Sequence, residues 1–141
     1  MPVRRCVGAI IYDGQGRVFL MTSPKWGDNY IVPGGEINPG ETPLQALRRE
    51  ITEEELGIEL CDVVYAGRST KRPGTDFQDP GMTFNFTDYY ARAEQTAVNP
   101  NDEIGSWGWF AIDDALRLPL LDSTMNLLTR YISYRKRISE K

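Results

Sequence analysis

The chain has 141 residues, 40% of them hydrophobic and 26% charged, with a net charge of −4. That size and balance suit one ordinary domain with a buried core and exclude a disordered or fibrous chain. There is no histidine and there are only two cysteines, Cys6 and Cys61, so a Ser-His-Asp triad, a histidine base, His-ligated zinc and a disulfide framework are all excluded.

In chain order, the N-terminal residues enter a strand-like run at once and lack a signal-peptide cleavage pattern. No apolar run approaches the roughly 18–20 residues of a membrane span. A cytoplasmic location is the default expectation. Residues 7–12 read as a buried strand, and 13–16 as a turn returning into a second strand at 17–22. A loop over 23–29 precedes a short strand at 30–32, and Pro33, Gly34 and Gly35 break regular structure. Thr42, Pro43 and Gln45 form the N-cap, first position and capping box of a helix that stops at Leu56 and Gly57. Residues 58–70 suggest strand with turns, 71–81 a Gly/Pro-punctuated loop, and 82–93 a strand with Phe84 and Phe86 on one face. A loop over 94–106 leads to a short strand ending at Phe110. Asp113 and Asp114 open a short helix, and a final helix begins near Asp122, with Leu121, Met125, Leu128 and Ile132 at helical spacing. No repeat or domain boundary interrupts residues 1–141.

Charge is uneven. In the last twelve residues five cations, Arg130, Arg135, Lys136, Arg137 and Lys141, outnumber Glu140, a local +4 against −8 for the rest. Cations at the end of a helix complement its dipole, and an acidic body repels a phosphate backbone. A nucleic-acid partner is therefore disfavoured, and a membrane is not expected.

The segment from Gly35 carries the chemistry. Five residues separate Gly35 from Glu41, and seven more separate Glu41 from Arg49. Glu50, Glu53 and Glu54 then follow at i, i+3 and i+4 on one helix, crowding three anions. At about 100° per residue, Leu44, Leu47 and Ile51 define the core stripe, and the three glutamates share the next arc with Ala46. Glu55 lies off that arc. Crowded carboxylates suit a solvated acidic face or a hard divalent cation, which takes carboxylate oxygens and bridges to phosphates.

The pattern from Gly35 through Glu41 and Arg49-Glu50-Ile51 to Glu53-Glu54 closely resembles the box of the Nudix hydrolases. The approach from Tyr30 to Gly35 and the ending after Trp109-Phe110 are similar too. The resemblance implies an α/β fold, a single α/β/α sandwich with a mixed central sheet, its box spanning 35–57. It also implies a MutT-like hydrolase that cleaves a phosphoanhydride with Mg²⁺ or Mn²⁺. The substrate would be a nucleoside triphosphate, or a nucleoside diphosphate linked to another moiety such as an ADP-ribose-like nucleotide sugar. A non-catalytic nucleotide sensor and an enzyme acting on capped or 5′-phosphorylated RNA are the competing readings. By position, Gly35, Glu50, Glu53 and Glu54 would hold the metal, Glu53, Glu54 and Arg49 would serve catalysis, and Glu41 would be Arg49's structural partner. A homodimer would be usual for the family.

One spacing departs from the family. Two residues, Glu55 and Leu56, stand between the glutamate pair and Gly57 where relatives have one. The expected place for this insertion is the helix end, after the chemistry, so Glu53→Gln or Glu54→Gln should lower kcat by orders of magnitude. Glu103 in the late loop is a further candidate ligand or base. Trp26, Tyr30 and Phe84 suit base stacking or the core, and Arg68, Lys71 and Arg72 suit a substrate phosphate or solvent.

Overall fold

The computed structural model describes residues 3–71 and 81–139. Strand β1 (Val3–Tyr12) organises it, and residues 6–11 of this strand are buried one after another, as a strand covered on both faces requires. Asp13 ties the turn into β2 (Arg17–Met21). Its Oδ1 accepts from the backbone N–H groups of Gln15 and Arg17, both at 2.9 Å, and its Oδ2 accepts from Arg17 Nε at 2.6 Å.

The remaining strands are β3 (Gly34–Glu36), β4 (Leu60–Lys71), β5 (Thr83–Ala93) and β6 (Trp107–Ala111). They form a six-stranded sheet of order β4-β5-β1-β2-β6, with β3 paired to β1. The β1–β5 pair is parallel and the others are antiparallel, so the sheet is mixed. Residues 30–32 make only isolated bridges, Ile31 with Met21 and Tyr30 with Leu120. The strand forms slightly later, within the stretch expected to break regular structure. Glycine explains this: a Cβ on Gly34 would overlap the Val7 carbonyl, so only a bare backbone can approach β1 there.

Helix α1 (Pro43–Arg48) starts as its sequence dictates. Thr42 Oγ1 accepts from the Gln45 N–H at 3.1 Å, and Gln45 Oε1 accepts from the Thr42 N–H at 2.9 Å. From Arg49 to Glu55 the chain continues as a π-helical turn. Ala46, Leu47 and Ile51 are buried, whereas Leu44 is exposed, so the stripe lies nearer Ala46 than expected. Helix α2 (Ile112–Ala115) is short, and α3 (Asp122–Ser139) buries Thr124, Leu127, Leu128 and Tyr131 while exposing Met125.

Alternation along the strands divides the core. Val7, Ala9, Phe19, Met21 and Ala91 face α1 and the π turn, packing on Leu47 and Ile51. Ile10, Val18, Leu20 and Tyr90 face the other way, onto Leu127, Leu128 and Tyr131 of α3. The expected α/β/α sandwich is the fold. No helix among the described residues is long and apolar enough to cross a membrane. The expected loop over 71–81, with Arg72, lies mostly outside the described residues.

Candidate active site

The helix that begins as α1 delivers its acids through a change of register. In the π turn the Leu56 N–H donates to the Ile51 carbonyl, five residues back, at 3.0 Å. With α-helical bonding throughout, Glu55 would stand about 140° around the axis from Glu50. Bonding from i to i+5 brings residue i+5 back above residue i. Glu55 is accordingly 4% exposed and lines the same cavity as Glu50. Glu53 is exposed and does not line it. The extra residue is thus absorbed inside the box helix and not at its end, correcting the α-helical phase that set Glu55 aside. Counted back from Gly57 with the family's single spacer, Glu54-Glu55 also stand at the pair's spacing, as Glu53-Glu54 do counted forward from Arg49.

Arg49 braces this helix. Its Nε and Nη2 grip both oxygens of Glu41, at 2.7 and 3.0 Å. Nη2 also donates to the Glu36 carbonyl, and Nη1 to Glu50 Oε1, each at 2.9 Å, with Glu54 as a further Nη1 partner. A guanidinium fork makes such bidentate pairs well. The hydrogen bond from Arg49 holds Glu41 below the usual carboxylate range.

Glu50 and Glu55 feel the opposite influence. Burial raises the Glu50 carboxyl, against the pull of Arg49 and with added repulsion from Glu54 and Glu103. Burial pushes Glu55 up to about 8, with Glu50, Glu103 and Glu54 adding to it, although Oε1 accepts from the Gly34 N–H at 3.0 Å. A Cβ on Gly35 would overlap the Glu50 carboxylate, so that carboxylate rests directly against the backbone at Gly35. Among the described residues, no three such side chains stand at metal-holding spacing. The residues nonetheless suit a hard divalent ion, because a buried and a half-buried carboxylate that repel each other beside the Gly34-Gly35 backbone gain from a cation.

The cavity has a volume of about 420 Å³, within the range of small-molecule sites. Gly34, Gly35, Glu50, Glu55 and Glu103 line its acidic end, and Trp26, Phe84, Phe86 and Asp88 the other. Expected residues gathered here are thus Gly35, Glu50, Glu103, Trp26 and Phe84. Tyr30 does not line the cavity and packs edge-on to Phe110, centroids 5.8 Å apart. Arg68 is exposed, while its neighbour Ser69 faces the cavity, because alternate strand residues point to opposite faces. Cys6 also lines it, but burial pushes its thiol up to about 11, so it stays a neutral thiol. Glu55, Ser69 and Asp88 escaped the sequence reading as site residues, and Phe86 entered it only as Phe84's neighbour on one strand face. The spacing before Gly57 signalled the first, and alternation continued from Phe84 and Phe86 signals Asp88.

Comparisons agree with this architecture. The family model described as the NUDIX domain matches residues 2–131. The RNA pyrophosphohydrolase of Bartonella quintana is 27% identical over 99% of this chain and 90% of its own length. That of Dinoroseobacter shibae is 39% identical over 45% of this chain, and the matched stretch spans only 41% of the relative. A MutT NUDIX hydrolase from Burkholderia pseudomallei superposes with a TM-score of 0.77 at 28% identity, covering 92% of this chain and 98% of that one. The E. coli ORF135 protein gives 0.73 at 26%, covering 96% and 92%. With its box, sheet and helices accounted for, the chain belongs to the Nudix family of pyrophosphohydrolases.

Proposed function

We propose that this Nudix enzyme hydrolyses a phosphoanhydride in a nucleoside triphosphate, or in a nucleoside diphosphate carrying another group, with Mg²⁺ or Mn²⁺ held by Glu50, Glu55 and the Gly35 carbonyl. The observation carrying this is the meeting of buried Glu55 and half-buried Glu50, two mutually repelling carboxylates, beside the Gly34-Gly35 backbone at one end of a nucleotide-sized cavity. Such an ion, when bound, would neutralise phosphate charge and help to activate the attacking water. The chain's own residues do the rest. Arg49, clamped by Glu41, fixes the direction of Glu50 and keeps Glu54 nearby. Glu103, exposed at the acidic end and free of ion pairs among the described residues, takes the proton from the attacking water. Glu53 faces solvent and has no part in the step.

The test is phosphate or pyrophosphate release from a nucleotide panel, with Mg²⁺ and with EDTA, in two variants. Glu55→Gln is expected to lower kcat at least a hundredfold and Glu53→Gln less than about threefold. The reverse order would return the insertion to the helix end and restore Glu53 to the site. The curated relatives' name, RNA pyrophosphohydrolase, favours a second substrate class, RNA, for which a 5′-triphosphorylated oligonucleotide is the probe. A short RNA of that kind belongs in the same panel, and a kcat/KM above those of all mononucleotides would establish it.

A further inference from the structure

The acidic end of the cavity is suited to phosphates, and the far end is built from different chemistry. Its floor is one face of the sheet. The parallel register sets Arg4 beside Phe84, Cys6 beside Phe86 and Gly8 beside Asp88. The next row on that face, Ile10 and Tyr90, is covered by α3, whose first turns form a wall of the cavity through Ser123 and Thr124.

Three observations converge on the row of Gly8 and Asp88. Asp88 is only 5% exposed, yet it lines the cavity. Its Oδ2 accepts from Arg130 Nη2 at 3.2 Å and Ser69 Oγ at 3.4 Å, whereas Oδ1 accepts no hydrogen bond among the described residues. A buried carboxylate oxygen without a donor is uncommon and calls for a partner. Arg130, which aligns the carboxylate, is itself fixed by the Ala66 carbonyl and Asn126 Oδ1, each at 3.0 Å, so the free oxygen is held in place in advance. Gly8, finally, interrupts the buried run of β1, residues 6–11, without a positive φ. A Cβ there would press on Val32 at 3.2 Å and stand 3.8 Å from both the Pro33 carbonyl and Asp88 Oδ1, so glycine keeps the approach to that oxygen clear. Glycine inside a strand often marks the close approach of a ligand.

The surroundings favour a flat heterocycle. Phe84 and Phe86 stack with an interplanar angle of 13°, centroids 6.1 Å apart, and Trp26 meets Phe84 edge-on at 5.6 Å. Gly8 pairs with Asp88 on one side and Gly34 on the other, so Asp88 lies two interstrand spacings, roughly 9.5 Å, from the glycine that binds Glu55. That separation is comparable to the reach from a base edge to its nucleotide's phosphates.

We propose that Asp88 reads the nucleobase: Oδ1 accepts a hydrogen bond from the exocyclic amine of adenine or cytosine while the aromatic wall holds the ring. Guanine and uracil carry a carbonyl oxygen where adenine and cytosine carry that amine, and would set lone pairs against the carboxylate. Guanine's own N–H edge would call for both carboxylate oxygens, and Oδ2 is already taken. The inference rests on the nucleotide-hydrolase reading above and names its substrate class.

The experiment compares ATP, CTP, GTP and UTP, by kcat/KM with Mg²⁺ and by calorimetric binding, in the wild type and in Asp88→Asn. The wild type is expected to favour ATP and CTP at least tenfold, chiefly through KM and Kd. In Asp88→Asn the amide can donate to a carbonyl, so the CTP to UTP ratio should fall to one or below, with kcat on UTP retained. A wild type without base preference, or one preferring GTP and UTP, overturns the proposal. So does an Asp88→Asn that weakens all four nucleotides equally, the mark of a mere anchor for Arg130. Should that variant fail to fold, the wild-type ranking decides. Binding ranks the bases even without turnover, whereas failure to cleave any nucleotide with Mg²⁺ would remove the hydrolase reading and leave the base ranking standing on affinity.

Discussion

Burial of the Glu55 carboxyl, whose hydrogen-bond donor is the Gly34 amide, has a cost that appears in stability as well as chemistry. With its pKa raised to about 8, the metal-free folded state holds a proton that the unfolded chain releases near pH 4.5. Between those values the folded state binds more protons, so stability falls as pH rises through the window. The loss reaches up to roughly 3 kcal/mol at pH 7. Glu55→Gln removes it. In EDTA at pH 8 the variant should melt several degrees above wild type, and the gap should close towards pH 4.5, as differential scanning fluorimetry across pH will read. A lower melting temperature for the variant at pH 8 would show that Glu55 is well solvated or already compensated. Arg49 is the other residue whose shape matters. Lysine keeps the charge but cannot hold both Glu41 oxygens and Glu50 together, so Arg49→Lys should lower kcat tenfold or more with a smaller change in KM. The grouping of several of these residues was legible in the sequence: Gly35, Glu41, Arg49 and Glu50 stand at family spacing, Arg49 contacts Glu41 and Glu50, and Gly35 lines one cavity with Glu50. Glu55 was not, because a helical wheel assumes one period throughout and cannot register a change of hydrogen-bond ring.

The π turn (Arg49–Glu55) is the element where local geometry and chemistry meet. Its start was readable, since the capping box of Thr42 and Gln45 depends on neighbours in sequence. Its later course depends on the fit of Ile51, Leu56 and Ile58, all fully buried, against the sheet. Those three anchors fix the ends of a segment one residue too long for an α-helix, and the surplus is accommodated as a wider ring. Thr52 helps close it by donating its hydroxyl to the Ile58 carbonyl at 2.7 Å. Deleting Glu53 gives the family's spacing and should convert the turn to α-helix with Glu54 and Glu55 still in place. Activity is then expected to stay within about fivefold of wild type, with an equal or higher melting temperature. A loss of orders of magnitude in kcat would instead mean that the wider turn itself serves catalysis, as π-bulges at functional sites often do. The strands follow the same division. Alternation made the Phe84 and Phe86 face of β5 predictable, whereas the pairing of Gly34–Glu36 with β1 is a tertiary event that local propensity does not report.

For the whole molecule, the resemblance to the Nudix family anticipated the mixed sheet between helices, and the apolar pattern agrees with it because each face must be covered. What they could not supply is how far α3 extends over the sheet, and that extent leaves the cavity open beside Ser123 and Thr124. The basic residues of α3 lie at its other end. Arg135 is twelve residues beyond Ser123, roughly 18 Å along the axis. There it sits over the Tyr12 ring at 5.2 Å and, with Lys136, lines a second cavity beside Asp13. Charges that distant act on a mononucleotide only through a screened field, since the Debye length is about 8 Å at physiological ionic strength. Replacing Arg135, Lys136 and Arg137 together with glutamine should therefore leave kcat/KM for a nucleoside triphosphate within about twofold at 150 mM salt. An RNA substrate is a different case, because its chain beyond the first nucleotide could reach along α3, and each lost phosphate contact would flatten the salt dependence of binding by about 0.7 of a unit of log–log slope. Measured on a 5′-triphosphorylated oligonucleotide, an unchanged KM and slope in the triple variant supports a mononucleotide enzyme. A KM that rises steeply while triphosphate turnover holds would identify the basic end of α3 as an RNA track and move the preferred substrate to RNA.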